Sequence, residues 1–130
     1  PTMIDDDIDQ PFKTPAMLQK AGVLFTINDD DANSRYRNLA FNAGTASAYG
    51  LTREEALAAI TLNAATILGI DDKTGSIEVG KDANIVVSEG DILDMRTNKI
   101  TQAFIQGRQV DLHNKQTQLA EKFETKYGIK

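Results

Sequence analysis

Apolar and polar residues follow a helical pattern in the middle of the chain. Thr52 and Glu55 have the spacing of a capping box, in which each side chain accepts a hydrogen bond from a backbone N–H that is free at a helix start. A helix is therefore predicted to begin near Arg53. Asn63 is placed to cap a second helical turn, and Gly69 is placed to end that turn in a left-handed conformation. The pattern predicts two short helices in succession.

The spacing of apolar residues changes from helical to alternating in the next part of the chain. Residues 76–79 alternate as a half-buried strand does, and residues 84–87 follow them after a turn, which predicts a tight antiparallel pair. Residues 99–105 and 108–110 are predicted to form a last hairpin about Gly107. This region is therefore expected to form a small sheet.

A second apolar run, residues 22–27, lies nearer the start of the chain and leads into an acidic loop. Its β-branched and aromatic residues predict a buried strand followed by a turn. Side chains alternate between the two faces of such a strand. One face would carry Val23, Phe25 and Ile27 and pack on helices, with Asp29 also on that side. The other face would carry Leu24, Thr26, Asn28 and Asp30.

Two prolines shape the prediction upstream of this strand. Residues 4–12 are rich in aspartate and are predicted to form an extended acidic loop, which is either a solvated charge run or a substrate contact. Pro11 and Pro15 discourage a helix around them. A short helix is therefore predicted only over residues 16–21, directly before the strand.

Helices are also predicted after the strand and at the end of the chain. Asn33 or Ser34 is placed to cap the first of these helices, which Gly50 stops. Residues 115–127 form the second, with an apolar stripe on an otherwise charged surface. The positions that recur at helical spacing are Tyr36, Leu39, Ala40, Ala43 and Ser47 in the first helix, and Leu119, Phe123 and Tyr127 in the second.

Three segments, in this order along the chain, resemble the end of a known protein superfamily. Residues 61–69 read TLNAATILG, residues 75–87 read GSIEVGKDANIVV, and residues 104–110 read FIQGRQV. They are similar to segments of the amidohydrolase superfamily, in its imidazolonepropionase-like and prolidase-like branches. Asn84 stands where aspartate is the usual residue, which is a conservative departure.

The resemblance implies an α/β fold. Residues 1–70 would supply the last strand and helices of a (β/α)₈ TIM-like barrel, residues 71–112 part of the amidohydrolase β-sandwich, and residues 113–130 a C-terminal helix that packs on the sandwich or on another subunit. A complete barrel takes about 250 residues, and this chain has 130 and begins at Pro1. We therefore expect it to be the C-terminal part of a longer enzyme. Alone it would leave open sheet edges and uncovered apolar faces, so its expected partner is the remainder of that chain.

The resemblance also implies a reaction, the hydrolysis of a C–N bond in an amide, a cyclic amide or a dipeptide by a metal-activated water. In the superfamily the last barrel strand starts with A-G-V and ends in an aspartate at the barrel mouth, and the usual spacing falls on Asp30. Asp30 would serve as metal ligand and as proton shuttle. A shift of one position, to Asp29 or Asp31, stays open because the three aspartates are consecutive.

Two other roles compete with this one for the three aspartates. They could cap the following helix, whose N-terminal dipole favours carboxylates, and both roles can hold together. A calcium loop would need the spacing D-x-D-x-D-G with a distal glutamate, which is absent from the sequence.

The chain contains few of the histidine and cysteine side chains that usually bind zinc. His113 is the only histidine, it is expected to be solvent-exposed just before the C-terminal helix, and the chain has no cysteine. A divalent metal, with zinc the expected ion, would therefore be bound mainly by residues outside this chain. No substrate-binding residue can be assigned.

Composition narrows the other classes of function. The net charge is −5, with 14 Lys and Arg against 19 Asp and Glu, so the chain lacks the basic surface that nucleic acid requires. It has no long apolar run and no signal-peptide pattern, and nothing in it indicates a compartment. The competing hypothesis is a non-catalytic assembly or binding module derived from an amidohydrolase tail. On the enzyme hypothesis this segment alone is not expected to be active, and a homo-oligomer is compatible with it.

Overall fold

A computed structural model describes residues 7–29 and 36–129, together with residue 5. Helices occupy most of the first half of the chain, a small sheet follows, and a helix comes last. None of the described helices is long and apolar enough to span a membrane. The helices are α1 Gln10–Lys20, α2 Leu39–Ala48, α3 Arg53–Ala58, α4 Leu62–Leu68 and α5 Lys115–Tyr127, and the strands are β1 Ile85–Ser88, β2 Ile100–Ile105 and β3 Arg108–Gln109.

Helix α3 begins as the sequence predicts. The hydroxyl of Thr52 accepts a hydrogen bond from the Glu55 N–H at 3.1 Å, and the Glu55 carboxylate accepts one from the Thr52 N–H at 2.7 Å. Helix α4 ends at Gly69, whose φ of 68° is left-handed, which is also as predicted. The prediction for Asn63 is wrong, because Thr61 is the N-cap residue and Asn63 lies inside the first turn of α4.

Helix α1 begins earlier than the prolines suggested. It starts at Gln10 rather than at residue 16, so the predicted extended loop does not reach residue 12. Pro11 occupies the first turn, where a backbone N–H has no partner within the helix and its loss is tolerated. Pro15 lies further inside, where it removes one helical hydrogen bond. Two side chains support this first part of the helix: Thr14 donates a hydrogen bond to the Gln10 carbonyl, and Lys13 forms an ion pair with Asp7.

Helix α2 forms within the predicted range. A short 3₁₀ turn, Tyr36–Asn38, precedes it, and Ala43 and Ala46 are buried on its inner face. The predicted capping residues, Asn33 and Ser34, lie outside the described residues. Helix α5 has the predicted bounds and the predicted stripe, but none of its residues is buried. It packs against none of the other described helices or strands.

The sheet has the order β1-β2-β3, and both pairings are antiparallel. The hairpin of β2 and β3 confirms the predicted last hairpin. Gln106 and Gly107 at its turn have φ values of 49° and 76°, and positive values at both positions are typical of a type I′ turn.

The predicted pair of residues 76–79 with residues 84–87 is wrong. β1 pairs with β2, and residues 76–79 form no strand, with Ile77 84% exposed and Val79 fully exposed. Asp82 donates its N–H to the Lys73 carbonyl at 2.8 Å, and the Asn84 amide donates to the Thr74 hydroxyl at 3.1 Å. These bonds place the start of β1 beside residues 73–74, so residues 76–79 bulge out between them.

The buried core is small and consists mostly of alanine. Leu93, which follows β1, inserts among the helices and joins the two halves of the described structure. Helix α2 approaches it so closely that a Cβ atom on Gly44 would lie 2.0 Å from the Leu93 carbonyl oxygen. The buried side chains are Ala43, Ala46, Leu51, Ala56 and Leu93 in one cluster, with Ala59 and Ala65 beside it.

Substitution of Gly44 by alanine should destabilise the natural full-length protein. Glycine to alanine inside a helix usually stabilises by about 0.5–1 kcal/mol, but here the added methyl group must displace Leu93. Overpacking of this kind costs about 1–3 kcal/mol, so we expect a net loss in urea unfolding. Ser47→Ala on the same helix is the control and should change stability by less than about 0.5 kcal/mol. A more stable Gly44→Ala protein would contradict the close contact.

Candidate functional site

The candidate site lies at the end of the extended segment 23–29. Helix α1 leads into this segment through Gly22, which has a φ of 70° that favours glycine. The Val23 N–H donates to the Leu18 carbonyl at 3.0 Å, and the Gly22 N–H donates to the Gln19 carbonyl. These bonds close the end of the helix and turn the chain sharply into the extended segment.

The extended segment is held by hydrogen bonds to the junction of α3 and α4 rather than by a sheet. The Ile27 N–H donates to the Ala59 carbonyl at 3.0 Å, and the Thr26 hydroxyl donates to the same oxygen at 2.7 Å. The Asn63 side-chain amide donates to the Phe25 carbonyl at 3.1 Å. Residues 22–27 were predicted to form a buried strand, and in the described structure they are extended but form no strand. A strand needs neighbours that accept and donate along its edges, and none of the described strands lies beside it.

The predicted alternation of side chains is present in spite of this. Phe25 and Ile27 are half-buried against the helical core, as expected for the face that packs on helices. The opposite face, with Leu24, Thr26 and Asn28, is exposed. Val23 departs from this alternation, because its side chain is 47% exposed although it belongs to the same face as Phe25 and Ile27.

Asp29 follows the same alternation and turns toward α2. Its carboxylate accepts a long hydrogen bond of 3.4 Å from the Asn42 amide, in the first turn of that helix. This position agrees with the prediction that Asp29 faces away from Leu24 and Asn28. Asp30 and Asp31 lie outside the described residues, so the choice of Asp30 as metal ligand and proton shuttle stays a prediction.

Asn63 is a residue whose contact the sequence analysis missed. It was interpreted as a helix cap, whereas its amide bridges to a carbonyl 38 positions earlier in the chain. The sequence offered one signal: the amide side chain of Asn63 lies directly beside the apolar residues Leu62, Ala64 and Ala65. A half-buried amide of this kind needs a hydrogen-bond partner.

The described residues do not form a metal site by themselves. No three side chains of His, Cys, Asp or Glu converge within ranges 7–29 and 36–129. His113 lies at the other end of the chain and is exposed, as predicted. Its Nδ1 is 2.6 Å from an Asp111 carboxylate oxygen, and its Nε2 is 3.6 Å from a Glu121 oxygen.

A large apolar groove separates the helices from the sheet. Its volume is about 680 Å³, and apolar atoms dominate its lining. One wall is built by α3 and α4, and the other by β1 and residues 74–77. Its main apolar side chains are Leu57, Ile60, Leu68, Ile77, Ile85 and Val86.

Comparison with known proteins identifies similar sequences. A family model described as "Amidohydrolase family" matches residues 12–111. The imidazolonepropionase of Thermoplasma volcanium is 37% identical over 86 residues, which make up 65% of this chain and 21% of that protein. The chain therefore spans about a fifth of the length of this curated relative.

Two solved structures of amidohydrolases are also similar to this chain. An amidohydrolase from Thermotoga maritima matches with a TM-score of 0.71 and 38% sequence identity, covering 77% of this chain and 26% of that one. A second amidohydrolase matches with a TM-score of 0.64 and covers 78% of this chain and 26% of its own. At 23% identity this second likeness concerns the fold alone.

The contacts of His113 predict a dependence on pH. The hydrogen bond with Asp111, aided by the nearby Glu121 carboxylate, raises the pKa of His113 above its ordinary value of about 6.5. Protonated His113 therefore stabilises the start of α5 below about pH 6.5, and this contribution is lost as the pH rises through the raised pKa. An NMR titration of the His113 ring protons should show a midpoint above that of the Asp111→Asn variant. Equal midpoints would contradict the contact.

Proposed function

This chain belongs to the amidohydrolase family, and on that premise we propose that it is the C-terminal part of a metal-dependent hydrolase that cleaves C–N bonds. The substrates would be amides, cyclic amides or dipeptides. Residues 1–70 would complete the barrel of the enzyme, residues 71–112 would contribute to its β-sandwich, and residues 113–130 would be its C-terminal helical segment. The share of its relatives that this chain covers supports a longer protein of this kind.

The observation that carries the proposal is the fixed extended segment 23–29. Its backbone is bonded to the junction of α3 and α4, and Phe25 and Ile27 are packed on the core. Leu24, Thr26 and Asn28 are exposed on the opposite face, which would point into the interior of the barrel. Asp30 follows this segment directly, so a rigid strand would present its carboxylate at the strand end, where barrel enzymes place catalytic groups.

Asp30 would act through its carboxylate. A divalent ion such as zinc lowers the pKa of nearby water toward neutrality. Asp30 would take the proton from that water and return it to the leaving nitrogen as the C–N bond breaks. Because the described residues do not make a metal site, the ion would be held mainly by side chains outside this chain, with Asp30 as the contribution of these 130 residues.

The partner that the groove favours is the remainder of the same enzyme. The groove of about 680 Å³ and the unpaired residues 76–79 leave apolar surface uncovered, and Ile77 and Val79 are almost fully exposed. Exposed patches of this kind usually mark a binding surface. Strands from the remainder of the chain would fill the groove and pair with the free edge of β1.

Replacement of the candidate carboxylate tests the proposal in the natural full-length enzyme. Asp30→Asn keeps the size of the side chain but removes its ability to take up a proton at neutral pH. General acid–base catalysis contributes about 10²- to 10⁴-fold, so kcat for a C–N substrate should fall by at least about 10²-fold. Asp29→Asn is the matched control, because Asp29 faces α2, and its kcat should stay within about tenfold. If Asp29→Asn is inactive and Asp30→Asn is active, the catalytic carboxylate is that of Asp29.

The mass and metal content of the natural protein decide between an enzyme and a non-catalytic module. Native mass spectrometry with elemental analysis on material from the source organism should find a polypeptide several times longer that carries zinc or a similar ion. The reason is that these 130 residues contain one histidine and no cysteine. A metal-free product of the present length would overturn the enzyme proposal and favour an assembly or binding module.

A further inference from the structure

The extended segment 23–29 depends on two anchors in the helical part of the protein. The first is the Ala59 carbonyl, which accepts both the Ile27 N–H and the Thr26 hydroxyl. The second is the Asn63 amide, which donates to the Phe25 carbonyl at 3.1 Å. The two anchors act on neighbouring residues, and together they fix both the position and the tilt of the segment.

We propose that Asn63 is a positioning residue, which holds the extended segment so that the carboxylates at its end are placed for catalysis. This inference rests on the proposed function, since it assumes that one of those carboxylates takes part in the reaction. Asn63 itself would contact neither substrate nor metal. Its effect would pass along the backbone from Phe25 to Asp29 and the aspartates that follow it.

A small tilt of the extended segment would produce a larger displacement at its end. Asp29 lies three positions after Thr26, the first of the two residues bound to the Ala59 carbonyl, and an extended chain rises about 3.3 Å per residue, so the lever is about 10 Å long. A tilt of about 5° about this contact would then move the far end by about 0.9 Å. A displacement of this size in a reacting group can lower a rate by about 10²-fold.

Within the described residues, the Asn63 amide is the helical group that binds the Phe25 carbonyl. In the full-length enzyme, barrel strands would pair along the edges of the segment, whereas the Asn63 and Ala59 bonds tie it to the helices behind it. Ile27 and Thr26 share one acceptor, the Ala59 carbonyl, which acts as a single pivot. Loss of the Asn63 amide would leave Ala59 as the remaining described hydrogen-bond partner at the junction of α3 and α4, so the segment would tilt more easily about it.

A matched control exists in the same chain. The Asn98 amide donates to the Ile92 carbonyl, also at 3.1 Å and also half-buried, in the loop between β1 and β2. Asn63→Ala and Asn98→Ala therefore remove the same kind of bond, and both should lower the melting temperature. Asn63→Asp is a second variant, which keeps the shape of the side chain but replaces the donor by a carboxylate that repels the Phe25 carbonyl oxygen.

The experiment compares these variants in the natural full-length enzyme by steady-state kinetics and by hydrogen exchange of residues 23–29. Asn63→Ala and Asn63→Asp should lower kcat about 10- to 100-fold, with KM within about twofold of the wild-type value. The Ile27 amide should exchange faster in both variants. Asn98→Ala should leave kcat and the exchange of this segment within about twofold, despite its lower melting temperature.

The outcomes separate this inference from the proposed function. Equal kcat values for Asn63→Ala, Asn63→Asp and Asn98→Ala would overturn the positioning role, even if Asp30→Asn is inactive. A large fall in kcat for the two Asn63 variants together with an active Asp30→Asn would support the positioning role and remove Asp30 as the residue it serves. If Asn63→Ala fails to fold, Asn63→Asp decides, since it preserves the packing around the side chain.

Discussion

The need to satisfy the backbone polar groups of one extended segment organises the helical half of this protein. An extended chain exposes N–H and C=O groups that must find partners, usually on neighbouring strands. In residues 23–29 the Ile27 N–H and the Phe25 carbonyl find them at the junction of α3 and α4 instead. The docked segment brings Phe25 and Ile27 against the core, where the small alanine side chains of α2 and α3 leave room for them.

The parts of the fold that the sequence predicts are those decided by local chemistry. The capping box of Thr52 and Glu55, the left-handed Gly69 and the turn at Gly107 each involve residues a few positions apart. The two predicted strands that the structure does not form, residues 22–27 and 76–79, depend on partners far away in sequence. Alternation identifies the faces of a strand, as it did for Phe25 and Ile27, but it cannot supply the neighbouring strand.

The candidate site also has one feature that the local pattern predicts and one that it does not. The direction of Asp29 followed from alternation, and the structure shows it turned toward α2. The contact of Asn63 could not be predicted, because its partner lies 38 residues away and a side-chain amide gives no indication of which distant carbonyl it will bind. Long-range polar contacts of single side chains are the part of such a site that only the folded geometry shows.

The structure separates two requirements that an active site must meet together. Precise placement of the extended segment is achieved within these residues, through the Ala59 carbonyl and the Asn63 amide. The described residues do not also provide a set of metal ligands, because no cluster of suitable side chains forms in ranges 7–29 and 36–129. The apolar groove lies between α3–α4, which hold the segment, and β1. A chain that fills the groove would therefore contact the same two helices that bind the extended segment through Ala59 and Asn63.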